Sequence, residues 1–395
     1  MKKLLLASTI LAGMAGSAFA DGHAVKMGVI LGFTGPIESL TPDMASAAEL
    51  AMSETAGKVL DGKTVVPVRG DSTCTDAAAA TAAAERLITS DGVVAIMGAD
   101  CSGVTTAIAN NVAVPNGVVM VSPSATSPAL TTIEDKGFFF RTAPSDARQG
   151  QVLADVLKDR GITKVAVTFT NNDYGKGLAA SFEEAFKAAG GTVAISAAHE
   201  DGKADYSAEV GALAAAGAEH LAVFGYVDQG GKGIIQTSLD TGAFENFILA
   251  DGMIGESLIK AIGDDLNGTI GTLPGSESAG AAKFKEVATA GGLAKNDGPF
   301  MPESYDAAAL MILAMQAAGS TDRAAIQSKI MEVANAPGEK ILPGELNKAL
   351  EILKSGGQVD YEGASNVTFT EVGEAAGSYK ELEIKDGKFV TVKVR

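Results

Sequence analysis

The 395-residue chain has no tryptophan, only 5% aromatic residues, three histidines and two cysteines. The histidines, His23, His199 and His220, fall at no spacing that suggests metal ligands or a nucleophile–histidine–acid triad. Two thiols make a poor metal site and cannot staple a disulfide-dense scaffold. Carboxylates are plentiful, yet no sequence pattern pairs two of them for acid/base work. Positive charge is also short: Lys plus Arg number 31 against 48 Asp plus Glu, a formal net charge of −17. That balance argues against electrostatically driven binding to nucleic acid or anionic lipid. After Ala20 no apolar run is long enough to span a bilayer.

What is present is an ordinary globular composition, 46% hydrophobic and 20% charged, on a chain longer than the roughly 250–300 residues at which one core usually splits. Two domains are expected. Met1–Ala20 has a basic start at Lys2 and Lys3, an apolar run from Leu4, and the small residues Ala18 and Ala20 around Phe19. This is the pattern of an export signal cleaved after Ala20, and the mature chain is expected to be soluble outside the cytoplasm. In an oxidising compartment an isolated pair such as Cys74 and Cys101 is most simply a disulfide.

From Val25 onward, Val/Ile-rich runs alternate with turns and Ala-rich helical stretches, with one unit roughly every 25–35 residues. Strands are expected at Val25–Leu31, Thr64–Val68, Val93–Gly98, Val118–Val121, Val165–Phe169, Val193–Ser196, Leu221–Phe224 and Phe247–Ala250. Apolar runs without period-two alternation belong to parallel sheets covered on both faces, so the fold class is α/β with Rossmann-like winding. Helices at Tyr305–Ala318 and Leu346–Leu353 and a terminal hairpin around Asp386-Gly387 end the parallel pattern. Lobe boundaries are expected at Phe140–Ser145 and Gly271–Ser276, where Pro144 and Pro274 interrupt the winding.

Two motifs tempt and fail. Gly57–Thr64 reads G-x-x-x-x-G-K-T, but it leaves an expected helix and opens a strand, the reverse of a phosphate-binding loop. Gly175–Ala180 approaches the dinucleotide fingerprint, with Glu200 downstream, yet Asn171–Tyr174 lengthen a turn that should be tight. A nicotinamide-dependent enzyme is therefore the minor alternative, and no cofactor is expected.

Ligands of open parallel sheets bind at the carboxyl ends of strands, which directs attention to two sets of loops. The first set is Gly32–Pro36, Asp71–Cys74, Asp100–Gly103 and Ser122–Thr126, and the second is Asn171–Tyr174, Gly225–Asp228 and Asp251-Gly252. Ser102 is read as a helix N-cap whose hydroxyl and neighbouring amides also suit a carboxylate. Ser124 and Thr126 sit in a string that reads equally as an ordinary turn, and Asp251-Gly252 is a turn signal whose acid suits an ammonium group. Tyr174 and Tyr226 are either half-buried packing or cover for a ligand side chain. Taken together, these loops offer an anion site on one lobe and a cation site on the other.

Gly32-Phe33-Thr34-Gly35-Pro36, the Cys74 and Cys101 pair beside Ser102, Ser122–Thr126, Asn171–Gly177, Tyr226, Asp251-Gly252 and Tyr305-Asp306 follow one another in an order that resembles the type I periplasmic binding proteins of ABC importers. The particular resemblance is to the leucine/isoleucine/valine-binding branch. It implies two α/β lobes joined by three crossings, the third near Glu371–Ser378, with the ligand cleft between them. The lobes would be 21–143 with 274–372, and 144–273 with 373–395. By the same resemblance Ser102 and Thr126 hold a ligand carboxylate, and the Ser124 carbonyl, Thr126 and Asp251 hold its ammonium. Tyr174 and Tyr226 then line the second side of the cleft. The implied partners are a small amino acid, branched-chain foremost, and an inner-membrane permease. The implied state is a periplasmic monomer without enzymatic activity. A sensor of the same fold is the alternative. Two departures bear on the ligand: Asp251 stands where close relatives carry Glu, and Leu40 where they often carry an aromatic.

Overall fold

The computed structural model describes residues 23–395, so the leader and its cleavage pattern lie outside it. Five strands, β1 (Ala24–Leu31), β2 (Thr64–Asp71), β3 (Ala95–Gly98), β4 (Val119–Ser122) and β5 (Phe139–Arg141), form a wholly parallel sheet in the order β2-β1-β3-β4-β5. Every residue of β3, β4 and β5 is buried, as expected for runs covered by helices on both faces. The second sheet is built from β6 (Lys164–Thr170), β7 (Thr192–His199), β8 (His220–Phe224), β9 (Asn246–Leu249) and β10 (Ile270–Pro274). It draws on the far end of the chain as well. β11 (Glu339–Ile341) and β12 (Val359–Tyr361) pair with each other in parallel, whereas β13 (Tyr379–Lys385) and β14 (Lys388–Val394) join the second sheet. Its order is β14-β13-β10-β9-β8-β6-β7, antiparallel only at β10-β13 and β13-β14. Asp386 and Gly387 both take positive φ (49° and 67°), the geometry that a two-residue hairpin turn demands.

The eight expected strands are all present, with no end displaced by more than three residues. β5 and β10 have no counterpart among the expected strands, and they occupy the segments read as interruptions. Pro274 is tolerated because it closes β10 at its last residue, opposite Tyr379. The helix expected from Tyr305 begins earlier, at Met301, with Pro302 in its first turn where a missing N–H costs nothing. It runs to Ala318 and is buried from Glu303 to Gln316. It packs against the helix Thr41–Glu54 and against β3 and β4, which makes it the spine of the first lobe.

The chain passes between the two sheets three times. It leaves β5 for the helix Asp146–Asp159, leaves β10 for the helix Ala279–Ala290, and returns after Phe369 to β13. The first and third passages lie side by side: Arg141 N–H donates to Gly373 O (3.0 Å) and Ala375 N–H to Arg141 O (3.1 Å). The Arg141 side chain, 1% exposed, forms an ion pair with Glu374 on the third passage.

Candidate functional site

The loops leaving β1, β2 and β3 are tied together by one buried carboxylate. Asp100 accepts the Gly32 N–H, the Ser72 hydroxyl (2.8 Å) and the Cys101 N–H (2.9 Å). Burial pushes its pKa up, and these donors oppose that shift. Cys74 and Cys101 form the expected disulfide, with Cα atoms 5.1 Å apart, and fasten two of these three loops, those after β2 and β3, covalently. Ser102 is not the N-cap. The helix Ser102–Ile108 is preceded by extended Cys101 without a side-chain cap. The Ser102 hydroxyl instead accepts the N–H of Ser127 (3.1 Å), which joins this loop to the one after β4. That loop is held from behind by Arg141, whose Nη1 donates to the carbonyls of Ala125 (3.1 Å) and Ser127 (2.9 Å). In front, the Ser124 hydroxyl donates to Asp100 O (3.1 Å).

On the second lobe, Asp251 opens a short 3-10 turn directly after β9, so the turn and the cleft position are one and the same feature. Tyr174 donates its phenol to Asp251 Oδ1 (2.7 Å) and accepts the Gly252 N–H (3.2 Å). Its ring stacks on Tyr226, with centroids 5.4 Å apart. Asn172 caps the helix Asp173–Ala188 through Gly175 N–H (3.1 Å) and donates to the Tyr226 phenol (3.2 Å). Burial first, and the Asp251 charge second, hold the Tyr174 phenol well above its ordinary pKa, so it remains a neutral donor. Burial likewise pushes Asp251 up to about 6, against the bonds from Tyr174, Gly252 and Gln149.

Ser102, Ser124, Tyr174, Tyr226 and Asp251 line a single pocket between the lobes, together with Asp100. Its remaining wall is apolar: Ile37, Leu40, Met44 and Phe300. Cavities of about 310 and 620 Å³ lie beside it, but neither joins Ser102 to Asp251. Phe300, in the left-handed region (φ 57°), also lines the smaller of these cavities and so separates the two spaces. Thr126 is the one expected site residue that does not line the pocket. It is buried, and its carbonyl accepts the N–H of Asp146 (2.8 Å).

Asp146 and Gln149 were missed by the sequence reading. They stand one helical turn apart at the start of Asp146–Asp159, on one face of it. With its amide nitrogen facing the acids, Gln149 donates to Asp146 Oδ1 (3.2 Å) and Asp251 Oδ1 (3.1 Å), while its oxygen accepts Asp251 N–H (3.2 Å). The signal available was an acid and an amide three residues apart just past Ser145, the helix cap. Asp100 and Phe300 carried no comparable signal.

The rejected motifs have other uses. Gly57–Thr64 follows the helix Thr41–Glu54 and runs into β2. Gly175 and Gly177 lie inside a helix rather than in a turn. A Cβ on Gly175 would stand 2.2 Å from Thr170 O, and one on Gly177 would stand 2.7 Å from Pro128 Cδ of the other lobe. Close packing, not pyrophosphate, requires these glycines. His199 is buried and locally hydrogen bonded. Its Nδ1 is 2.9 Å from the Thr168 hydroxyl, and burial pushes its pKa down to about 4.

Known proteins share this arrangement of the chain. The family described as periplasmic binding protein matches residues 24–346. A Leu/Ile/Val-binding protein homolog of Brucella melitensis is 32% identical over 343 residues, 84% of this chain and 88% of that one. The crystal structure of a leucine binding protein from Thermotoga maritima superposes with a TM-score of 0.78 at 26% identity, covering 94% of this chain and 98% of that one. A solute binding protein from R. palustris, solved with 4-hydroxybenzoate, shares the fold at a TM-score of 0.77 and 21% identity over 94% and 97% of the two chains. With two α/β lobes, three passages between them and a pocket built from both sets of strand ends, the chain belongs to the periplasmic binding protein family.

Proposed function

We propose that this protein is the periplasmic solute-binding component of an ABC importer. It takes a small aliphatic amino acid, branched-chain foremost, and delivers it to a membrane permease without altering it. In this reading the lobes are 21–143 with 274–372 and 144–273 with 373–395, the leader is removed after Ala20, and the protein works as a monomer. The observation that carries the reading is the pocket joining Ser102 and Ser124 of one lobe to Asp251 of the other. The ligand carboxylate meets the Ser102 hydroxyl and the free N–H groups of the first helical turn. The ammonium meets Asp251 and the Ser124 carbonyl. The side chain turns to Ile37, Leu40, Met44 and Phe300, which suits an aliphatic group, and Tyr174 and Tyr226 cover it.

Asp251 distinguishes this ligand from the aromatic acid bound by the R. palustris protein. An acid with no amino group would leave a desolvated carboxylate uncompensated. The test is calorimetry on refolded, ligand-stripped protein with the twenty amino acids and 4-hydroxybenzoate. Saturable binding of leucine, isoleucine, valine or another small aliphatic amino acid is expected, and binding of none of the twenty would reject the reading. A neighbouring permease gene would separate import from sensing. An absorbance scan of the purified protein, expected to show no bound nicotinamide, addresses the enzyme alternative.

A further inference from the structure

The cavity of about 310 Å³ on the far side of Phe300 is a second space between the lobes, and the ligand contacts described above do not use it. The first lobe contributes Phe284, Phe300 and Glu303 to its wall, the second lobe contributes Leu273 and Lys380, and residues 275–278 of the second passage complete it. Two of these groups lack the partners that burial and charge call for. Glu303 is 2% exposed and its Oε2 has no hydrogen-bond partner, whereas nearly all buried polar groups in folded proteins are paired. Lys380 stands beside Leu273 across the β10-β13 pair, and its stem lies along the second passage: a Cβ on Gly275 would be 2.8 Å from Lys380 Cε. Among the described residues its ammonium has no hydrogen bond or ion pair, while the neighbouring Lys285 is matched by Asp297 (3.3 Å).

The Ser276 and Ser278 hydroxyls are 3.0 Å apart, so one of their two protons serves that contact and the other is left to give. Burial keeps the proton on Glu303 to about pH 8, which makes this acid a donor as well. A visiting cation would meet the unmatched Lys380. A carboxylate, which only accepts, finds donors on several sides. We propose that this cavity is a second ligand site, separate from the amino-acid pocket, that takes a small organic acid: Lys380, the serine pair and Glu303 hold its carboxylate, and Leu273, Phe284 and Phe300 cover its apolar body. Lys380 comes from one lobe and Glu303 from the other, so an occupant ties the lobes together beside the second passage. Amino-acid binding, which closes the same lobes, is then tightened reciprocally. Only this coupling rests on the amino-acid reading above; the site itself does not.

The test is calorimetry with sodium isovalerate on wild type saturated with its tightest-binding amino acid, so that the loops around Ser102 are already occupied. Sodium chloride and sodium phosphate at matched ionic strength are the comparisons. One saturable event in the millimolar range or tighter is expected for isovalerate alone. Lys380→Met should weaken it by about tenfold or more, and Lys380→Arg, which keeps the charge, should retain most of it. Glu303→Leu should weaken it as well, whereas Glu303→Gln keeps a donor and should bind; this pair serves if Lys380→Met does not fold. Isovalerate should also raise the amino-acid affinity of wild type relative to Lys380→Met by about threefold or more. No saturable heat, equal binding of phosphate, or equal binding by Lys380→Met and Glu303→Leu overturns the site, and an unchanged amino-acid affinity overturns the coupling. If wild type binds no amino acid, the same titration on stripped protein still decides the site through Lys380→Met, so the two failures stay separate.

Discussion

A buried acid with no resident cation favours either a proton or a positively charged visitor, and Asp251 is where this protein meets that choice. Its pKa stands near 6 because burial outweighs the bonds it accepts. An ammonium group needs the ionised form, so ligand and proton compete. Amino-acid affinity is expected to hold between pH 7 and 8 and to fall several-fold per unit below about pH 6, as measured by calorimetry across that range. Asp251→Ala should weaken amino-acid binding by about 2–4 kcal/mol, because it strands a desolvated ammonium. Unchanged affinity would remove Asp251 from the site. Glu303 gives a second residue-scale prediction, one of stability. It is buried, its Oε2 has no partner, and burial pushes its pKa from 4.5 up to about 8. Below pH 4.5 folded and unfolded chains both hold this proton. As pH rises toward 8 the unfolded chain releases it and the folded chain does not, so this group lowers stability progressively over that window. Glu303→Gln should therefore match wild type near pH 4 and exceed it at pH 8 by on the order of 4 kcal/mol, read from thermal or urea unfolding. A constant difference across the range would show that Glu303 is not the titrating group.

Among elements, the loops carrying Asp100, Cys101 and Ser102 are kept in place by the bridge to Cys74, which closes a loop of 27 residues. Replacing both cysteines by serine should cost roughly 3 kcal/mol of stability in the chain-entropy model. It should also weaken ligand binding, because the Asp100 network alone must then hold the turn; full affinity in the reduced variant would show that network to be sufficient. These elements also mark how far the sequence could be read. The repeating strands were legible because continuous Val/Ile runs between Gly-rich turns have few other solutions, and the site loops followed from where such strands end. β5 and β10 were not, since Phe139–Arg141 is three residues long and Ile270–Pro274 carries a glycine and a proline. β10 is completed by β13, which comes more than a hundred residues later. Asp146 was hidden for a related reason. Its helix position is readable, but its meeting with Thr126 and Gln149 depends on the fold of the first passage.

At the scale of the whole molecule, the lobes meet across the cleft through a small set of polar contacts separate from the pocket. Asp228 N–H donates to Pro36 O (3.0 Å), and its carboxylate accepts the Ser39 N–H (2.9 Å) and the Ser257 hydroxyl (2.7 Å). The two serine hydroxyls are 3.1 Å apart. Pro36 and Ser39 precede the first helix of one lobe, whereas Asp228 and Ser257 follow β8 and β9 of the other, so the bonds from Asp228 to Pro36 and Ser39 and the Ser39–Ser257 contact form only when the lobes come together, while Ser257 holds the Asp228 carboxylate within its own lobe. Neither lobe's core depends on them, and each lobe keeps its own sheet without them. Asp228→Ala should therefore leave the unfolding of ligand-free protein within about 0.5 kcal/mol of wild type, as for surface changes generally. It removes one charge-assisted bond, that from Ser39 N–H, from the closed form alone, and ligand dissociation should accelerate by about threefold to tenfold, with association little changed. Stopped-flow displacement of bound amino acid reads the rate, and small-angle scattering with saturating ligand reads the fraction that remains compact. A dissociation rate equal to that of wild type would mean that the ligand and the Arg141–Glu374 clasp set the closed population without help from this contact.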